Sequence, residues 1–252
     1  MMSGFPKCAA STLSALLLSG IAAVGAAGAR PPNGPPPSAP PVVTEETLAL
    51  PPGLPEGWYA WIETSMGVIV ARLLPEQAPQ SVAHFAALAE GRLAWPDPVT
   101  GTPRKDPYYD GLKVTRAVAA ERIEIGGSTV AGRSMPPIFV PPEGEGPVNF
   151  TGPGRLGMVR TVLNRISGVK FFVTAGTIPY LNGSHPCFGI VVSGLDVVER
   201  ASAVKTFGNE MPIDPVMVKR IRVCKVGNPA PLPEPMPYTP KAQKYGLRPE
   251  PR

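Results

Sequence analysis

Gly152-Pro153-Gly154-Arg155-Leu156-Gly157-Met158 opens a stretch that runs through Gly168-Val169-Lys170-Phe171-Phe172-Val173-Thr174 and Tyr180-Leu181-Asn182-Gly183-Ser184-His185 to Phe188-Gly189. Two short apolar runs and a turn are spaced so that Phe172, Leu181 and His185 can face one hydrophobic pocket. Taken singly, Phe172 and Leu181 read as core residues and His185 as a satisfied turn histidine. A pocket therefore needs a second wall from elsewhere in the chain.

The 252 residues include 35 prolines, unevenly placed. Ten fall between residues 31 and 55 and eight between 228 and 252. The part able to bury a core is then 57–227, the size of one domain. Ahead of it, Lys7 precedes an apolar and small-residue run from Ala9 to Ala27 that ends in Ala27-Gly28-Ala29. This grammar predicts a signal peptide over 1–29, cleaved near Ala29, and hence a periplasmic or secreted protein. Gly and Ser dilute the run, which argues against a membrane anchor. Cys8 precedes the run and so stands in the wrong place for a lipid-modified terminus. No stable membrane span is expected after cleavage, and a monomer is expected.

Residues 30–56 read as an extended Pro-rich linker and 228–252 as a Pro-rich tail. The formal charge of +5 is spread along the chain rather than clustered, which argues against a nucleic-acid partner, as does export. Cleavage leaves Cys187 and Cys224, either bridged across neighbouring strands or present as two buried thiols. With His84 and His185 they make no ligand spacing, so no metal site and no cofactor are expected.

Along the core, Trp58–Glu63 and Val68–Leu73 flank Thr64-Ser65-Met66-Gly67 as a β-hairpin. Pro79 opens a helix with Val82, Phe85, Leu88 and Ala89 on one face, stopped by Gly91. His84 reads as a surface or partly buried helix residue. Residues 92–109 form a long loop. Strands are expected over Leu112–Val118, Arg122–Ile125 and Val216–Val226, with irregular chain over 128–151 and a second helix through Val197, Val198, Ala201 and Val204. Short strands, long turns and two helices point to an antiparallel barrel.

Nine markers in order now carry a resemblance. They are Thr64-Ser65-Met66-Gly67, Pro75-Glu76-Gln77-Ala78-Pro79, the Phe85 helix, Tyr109-Asp110-Gly111 before Arg116, Gly126-Gly127, Gly152-Pro153-Gly154, Phe171-Phe172, Leu181-Asn182-Gly183 and Phe188-Gly189. In this order Trp58–Val226 resembles the cyclophilin-type peptidyl-prolyl isomerases. The resemblance implies a mainly β fold, a closed eight-stranded antiparallel barrel capped by two helices. It also implies a groove for proline-containing segments of client proteins.

Such a groove must grip a proline ring and hydrogen-bond the imide nitrogen as the amide twists. A guanidinium suits the second task, being rigid and permanently charged. By resemblance Arg116 is the catalytic donor, Phe172, Leu181, His185 and Ile123 hold the proline, and Tyr180 and Lys170 contact substrate. Tyr180 stands where many members carry tryptophan.

Departures cluster around the donor. Counting back from Gly126-Gly127, Ile125 stands where the family has an orienting glutamine, and Arg122 and Ile123 stand where it has phenylalanine and methionine. Lys170 replaces a second glutamine, Val159-Arg160 a small-residue and asparagine pair, and Thr115 a histidine. The added Arg122, Arg160 and Lys170 either favour acidic residues beside the substrate proline or point into solvent. The expected function is prolyl isomerisation of exported proteins. The alternatives are a weakly active or inactive proline-binding module of the cell envelope, or a structural protein that binds through its tails.

Overall fold

The computed structural model describes residues 50–127, 136–143 and 146–237. The signal stretch, residues 30–49 of the linker and 238–252 of the tail lie outside the described residues. In the expected hairpin, β1 (Gly57–Thr64) and β2 (Gly67–Leu73) are antiparallel. Its turn is pinned by the Thr64 hydroxyl, which donates to the Gly67 carbonyl at 2.7 Å and accepts from the Met66 amide at 3.1 Å.

Helix α1 (Pro79–Ala89) starts on a proline, whose missing N–H costs nothing in the first turn. Its free amides are met from a distant loop: the Glu143 carboxylate accepts from the backbone N–H of Gln80 and of Ser81, both at 2.8 Å. An anion at this end also suits the helix dipole. The helix stops before Gly91, whose φ is +67° and whose Cβ, if present, would lie 2.7 Å from the Lys105 carbonyl oxygen. Only glycine satisfies both conditions.

After α1 come two-residue strands β3 (Trp95–Pro96) and β4 (Pro103–Arg104), a small separate sheet inside the long loop. Then follow β5 (Val114–Val118), β6 (Arg122–Ile125), β7 (Phe139–Val140), β8 (Arg155–Arg160), β9 (Ile166–Thr174), a 3₁₀ turn (Pro179–Leu181), β10 (Cys187–Ser193), α2 (Leu195–Ser202) and β11 (Val218–Val226). The main sheet runs β11-β1-β2-β10-β8-β9-β6-β5, every pair antiparallel, with β7 added beside β9.

The expected barrel is mainly β and has two helices, but strand pairing does not close it. Edge strands β5 and β11 meet only near their starts, through an isolated bridge between Lys113 and Met217 and flanking backbone bonds. A bulge bends β5 between Val114 and Arg116, and the Ala117 amide bonds the Glu210 carbonyl at 2.8 Å instead of β11. The strap leading into β11 thus takes the edge that closure would have used, leaving an open half-barrel.

The main core lies between α1 and the sheet. Phe85 packs against Tyr109, Phe171 and Phe188, with ring centroids 5.5, 5.2 and 5.3 Å apart. Each such buried ring contributes roughly 1.5–3 kcal/mol through burial. His84, expected near the surface, is fully buried in α1, and neither ring nitrogen has a hydrogen-bond partner. Burial pushes it down to about 4, so it is a neutral ring filling core space.

Neither cysteine is bridged. Cys187 in β10 packs with Phe172, while Cys224 in β11 packs with Tyr59 and Trp61. Two strands separate β10 from β11 in the sheet.

Both flanks of the domain are docked where they join it. Leu50 and Leu54 cover Tyr59, Trp61 and Val70. On the other flank, Trp58 Nε1 donates to the Ala230 carbonyl at 2.8 Å, and the Met236 amide donates to Gln80 Oε1 at 3.1 Å. The start of the Pro-rich tail is therefore part of the folded body.

Candidate active site

One row of residues crosses the sheet outside the main core. Arg116 in β5 stands opposite Glu124 in β6, Glu124 opposite Phe172 in β9, Phe172 opposite Gly157 in β8, and Gly157 opposite Cys187 in β10. Directly paired residues share a face, so the row sets a guanidinium, a carboxylate and an aromatic ring side by side. The alternation of β6 follows from its sequence, Arg122-Ile123-Glu124-Ile125. Ile123 and Ile125 join the main core, while Arg122 and Glu124 take the other face.

Glu124 is the centre of the charged half. Only 4 % exposed, it receives Arg116 Nη1 at 3.2 Å and Arg122 Nε at 3.0 Å on Oε1, and Lys170 Nζ at 2.7 Å on Oε2. Burial alone would raise its pKa; Lys170 and then Arg122 outweigh burial and hold it below the usual carboxylate range. Arg116 is also paired through Nε with Glu210 of the strap. Glu210, with Glu124, drives the arginine pKa further up and keeps the group charged. The two carboxylates fix its Nε and Nη1 edges. Glu210 is a non-glycine residue at φ +62°, a costly backbone state that delivers its side chain to Arg116.

The apolar half is built on Phe172, 1 % exposed, with Phe150 at 5.2 Å and the His185 ring edge-on at 5.7 Å. Ile178, Leu181 and Cys187 complete this cluster, and Val159 packs against it. Gly157 is what lets the Phe172 ring lie over β8, because a Cβ there would fall 2.3 Å from Phe172 Cζ. The Asn182 side chain accepts the Phe150 amide at 2.8 Å and ties the 3₁₀ turn to the wall. Burial, followed by Arg160 and Arg122, pushes His185 down to about 4, so its ring is neutral at pH 7. Ser184 Oγ lies 2.8 Å from His185 Nδ1 and holds the ring's orientation.

Most of the expected site residues meet on this face: Arg116, Lys170, Phe172, Leu181, Tyr180 and His185. Tyr180 is 65 % exposed, and its hydroxyl donates to Glu121 at 2.6 Å and accepts from Arg122 at 3.3 Å. Ile123 does not join them. It is buried among the main-core side chains, on the face of β6 opposite Glu124.

Ile125 likewise is not the orienting residue beside Arg116; Glu124 is. Counting back from the glycines missed it, whereas the Arg-Ile-Glu-Ile alternation contained the signal. Arg122 and Lys170 are not spare cations, since Arg122 pairs with Glu121 and Glu124 and Lys170 with Glu124.

The site thus sets a fixed guanidinium and an aromatic cluster on one face, with Glu124 between them. Residues 59–223 match the family model described as "Cyclophilin type peptidyl-prolyl cis-trans isomerase/CLD". Peptidyl-prolyl cis-trans isomerase A of Mycobacterium tuberculosis (strain H37Rv) is 32% identical over 166 residues, 65% of this chain and 91% of that protein. Peptidyl-prolyl cis-trans isomerase-like 1 of Mus musculus is 32% identical over 173 residues, 68% of this chain and 95% of that protein.

Among solved structures, a Cryptosporidium parvum cyclophilin type peptidyl-prolyl cis-trans isomerase, crystallised in the presence of the dipeptide Ala-Pro, superposes with a TM-score of 0.55 at 20% identity. It covers 68% of this chain and 99% of its own, a likeness of fold. The chain belongs to the cyclophilin-type peptidyl-prolyl cis-trans isomerase family, and its class is that of an isomerase acting on X–Pro bonds.

Proposed function

We propose that this domain accelerates X–Pro rotation with Arg116 as donor and the Phe172, Leu181 and His185 pocket as the grip. The observation that carries this reading is the row Arg116–Glu124–Phe172, which sets the guanidinium and the Phe172 ring on one face with only β6 between their strands. An X–Pro bond rotates over a barrier of about 18–20 kcal/mol because twisting breaks amide resonance. As the nitrogen becomes pyramidal its lone pair turns into an acceptor, and a guanidinium N–H aimed at it binds the twisted amide better than the planar one. Carboxylates on two edges of Arg116 fix the direction of the remaining donors, which spares reorganisation during the twist. No covalent bond forms or breaks. The neutral His185 adds no charge of its own to the pocket, as burial of an apolar ring requires.

A protease-coupled isomerisation assay on X–Pro peptides tests this. Wild type should accelerate the exchange and Arg116→Ala should lose most of the acceleration. No acceleration by wild type would end the reading, and acceleration untouched in the variant would end the role of Arg116.

One observation favours low turnover. Two carboxylates compensate the charge of Arg116 and weaken its pull on the nitrogen. On that reading the domain binds proline segments more strongly than it turns them over, and peptide titration alongside the assay separates the two. We also propose export, supported by the apolar run and the Ala27-Gly28-Ala29 site. N-terminal sequencing of the mature protein after fractionation tests it, and an intact Met1 terminus would overturn it.

A further inference from the structure

Three cations at the site are paired to carboxylates: Arg116 with Glu124 and Glu210, Arg122 with Glu121 and Glu124, and Lys170 with Glu124. Arg160 differs. It ends β8 at the hairpin that crosses to β9, and among the described residues its bonds go only to neutral oxygens. Nε donates to the Ser184 carbonyl at 2.7 Å and Nη1 to Asn164 Oδ1 at 2.5 Å. Ser184 is the residue whose hydroxyl holds His185, so the guanidinium is tied to the rim of the proline pocket. Two of its nitrogens are thus occupied by groups that position it without neutralising it. Beyond it, the hairpin tip exposes Val162 and Leu163, and nothing among the described residues there offers it a carboxylate.

A half-buried guanidinium held by uncharged acceptors is pre-organised for a charge-assisted pair with an incoming carboxylate. We propose that Arg160 forms an acid-reading subsite beside His185, selecting proline segments that carry Asp or Glu next to the proline. The proposal rests on the pocket assigned above. It also divides the cationic rim: the selectivity belongs to Arg160, while Arg122 and Lys170 serve the interior of the site.

The test uses labelled peptides with Glu one residue before, one after or two after the proline, each matched to a Gln peptide. Binding is read by fluorescence anisotropy and turnover by the coupled assay. In at least one position wild type should favour Glu over Gln by about five-fold, and the preference should shrink as salt screens the pair. Arg160→Gln should abolish the Glu/Gln ratio and Arg160→Lys should keep part of it, with thermal melts confirming that both fold. Equal affinity for Glu and Gln peptides in wild type, or a ratio that survives in Arg160→Gln, overturns the proposal. Absence of turnover on every peptide would instead count against the isomerase reading, while the binding ratio still decides the subsite.

Discussion

The two halves of the site are built in different materials. The gripping half around Phe172 is apolar and depends on close packing, with Gly157 giving its ring room. The donor half around Arg116 is a buried ion cluster, in which one carboxylate, Glu124, serves three cations. The first tolerates changes of charge nearby but not of volume, and the second tolerates the reverse. Two of the departures noted by resemblance, Arg122 and Lys170, therefore form one unit with the carboxylate between them, Glu124.

Substitutions should separate the halves. The largest effect is expected for Glu124→Gln, which leaves Arg122 and Lys170 facing an amide in a buried place and should cost about 3–5 kcal/mol in denaturant melts. Glu210→Gln removes a half-exposed partner of the same arginine and should cost under about 1 kcal/mol. Equal costs for the two would dissolve the distinction between an ion-built interior and a solvated latch. Next comes Arg116→Ala, expected to lower kcat/KM about 100-fold while the melting curve moves little.

Acidity acts on the core, the gripping half and the donor half in different windows. His84 and His185 have folded pKa values of about 4, below the ordinary 6.5. Between these values the unfolded chain binds the protons and the folded one does not, so stability falls as pH drops from 6.5 to 4 and levels off below. Each histidine adds at most about 1.4 kcal/mol per pH unit in that window. Glu124 has the opposite charge type and a lowered pKa; its contribution is intact above 4.5 and is lost as pH falls through its lower folded value. Melts from pH 7 to 3 on wild type and His84→Leu should show a shallower upper slope in the variant. An unchanged slope would exclude His84 as a source. Gly157→Ala crowds Phe172 and Phe150 and tests the intolerance of the gripping half to added volume. It should cost about 1 kcal/mol and raise KM for proline peptides with kcat nearly unchanged.

How legible each half was in the sequence follows from the same contrast. The Phe171-Phe172, Leu181 and His185 spacing led directly to the gripping half, because aromatic and apolar residues hold their places when packing fixes them. The hairpin, the β6 boundaries and both helices were legible for the same reason, in their periodicity and stop signals. Glu124 was not found, since an ion cluster has no period of its own and only its partners on β5 and β9 give it meaning. Ile123 was misplaced because alignment by the glycines competed with strand alternation, and alternation decides which face a side chain takes. The two-residue strands β3, β4 and β7 are too short to carry a pattern. The open edge of the sheet came from Glu210, whose backbone takes the Ala117 amide in a segment with no strand signal.

The register of the first and last strands bears on how the domain hangs in a longer chain. Gly57 opens β1 directly opposite Val226 at the end of β11, and the Glu56 side chain accepts the Asn228 amide at 2.9 Å. Both Pro-rich flanks therefore start at one point on the surface, before Leu50 docks by Trp61 and Met236 by Gln80. Once a pull has peeled those docked segments off, it loads the β1–β11 ladder at its end and opens it one bond after another, as a zipper rather than in shear. The domain should then give way at low force when stretched by its termini, and resist far better when held across the hairpin tips.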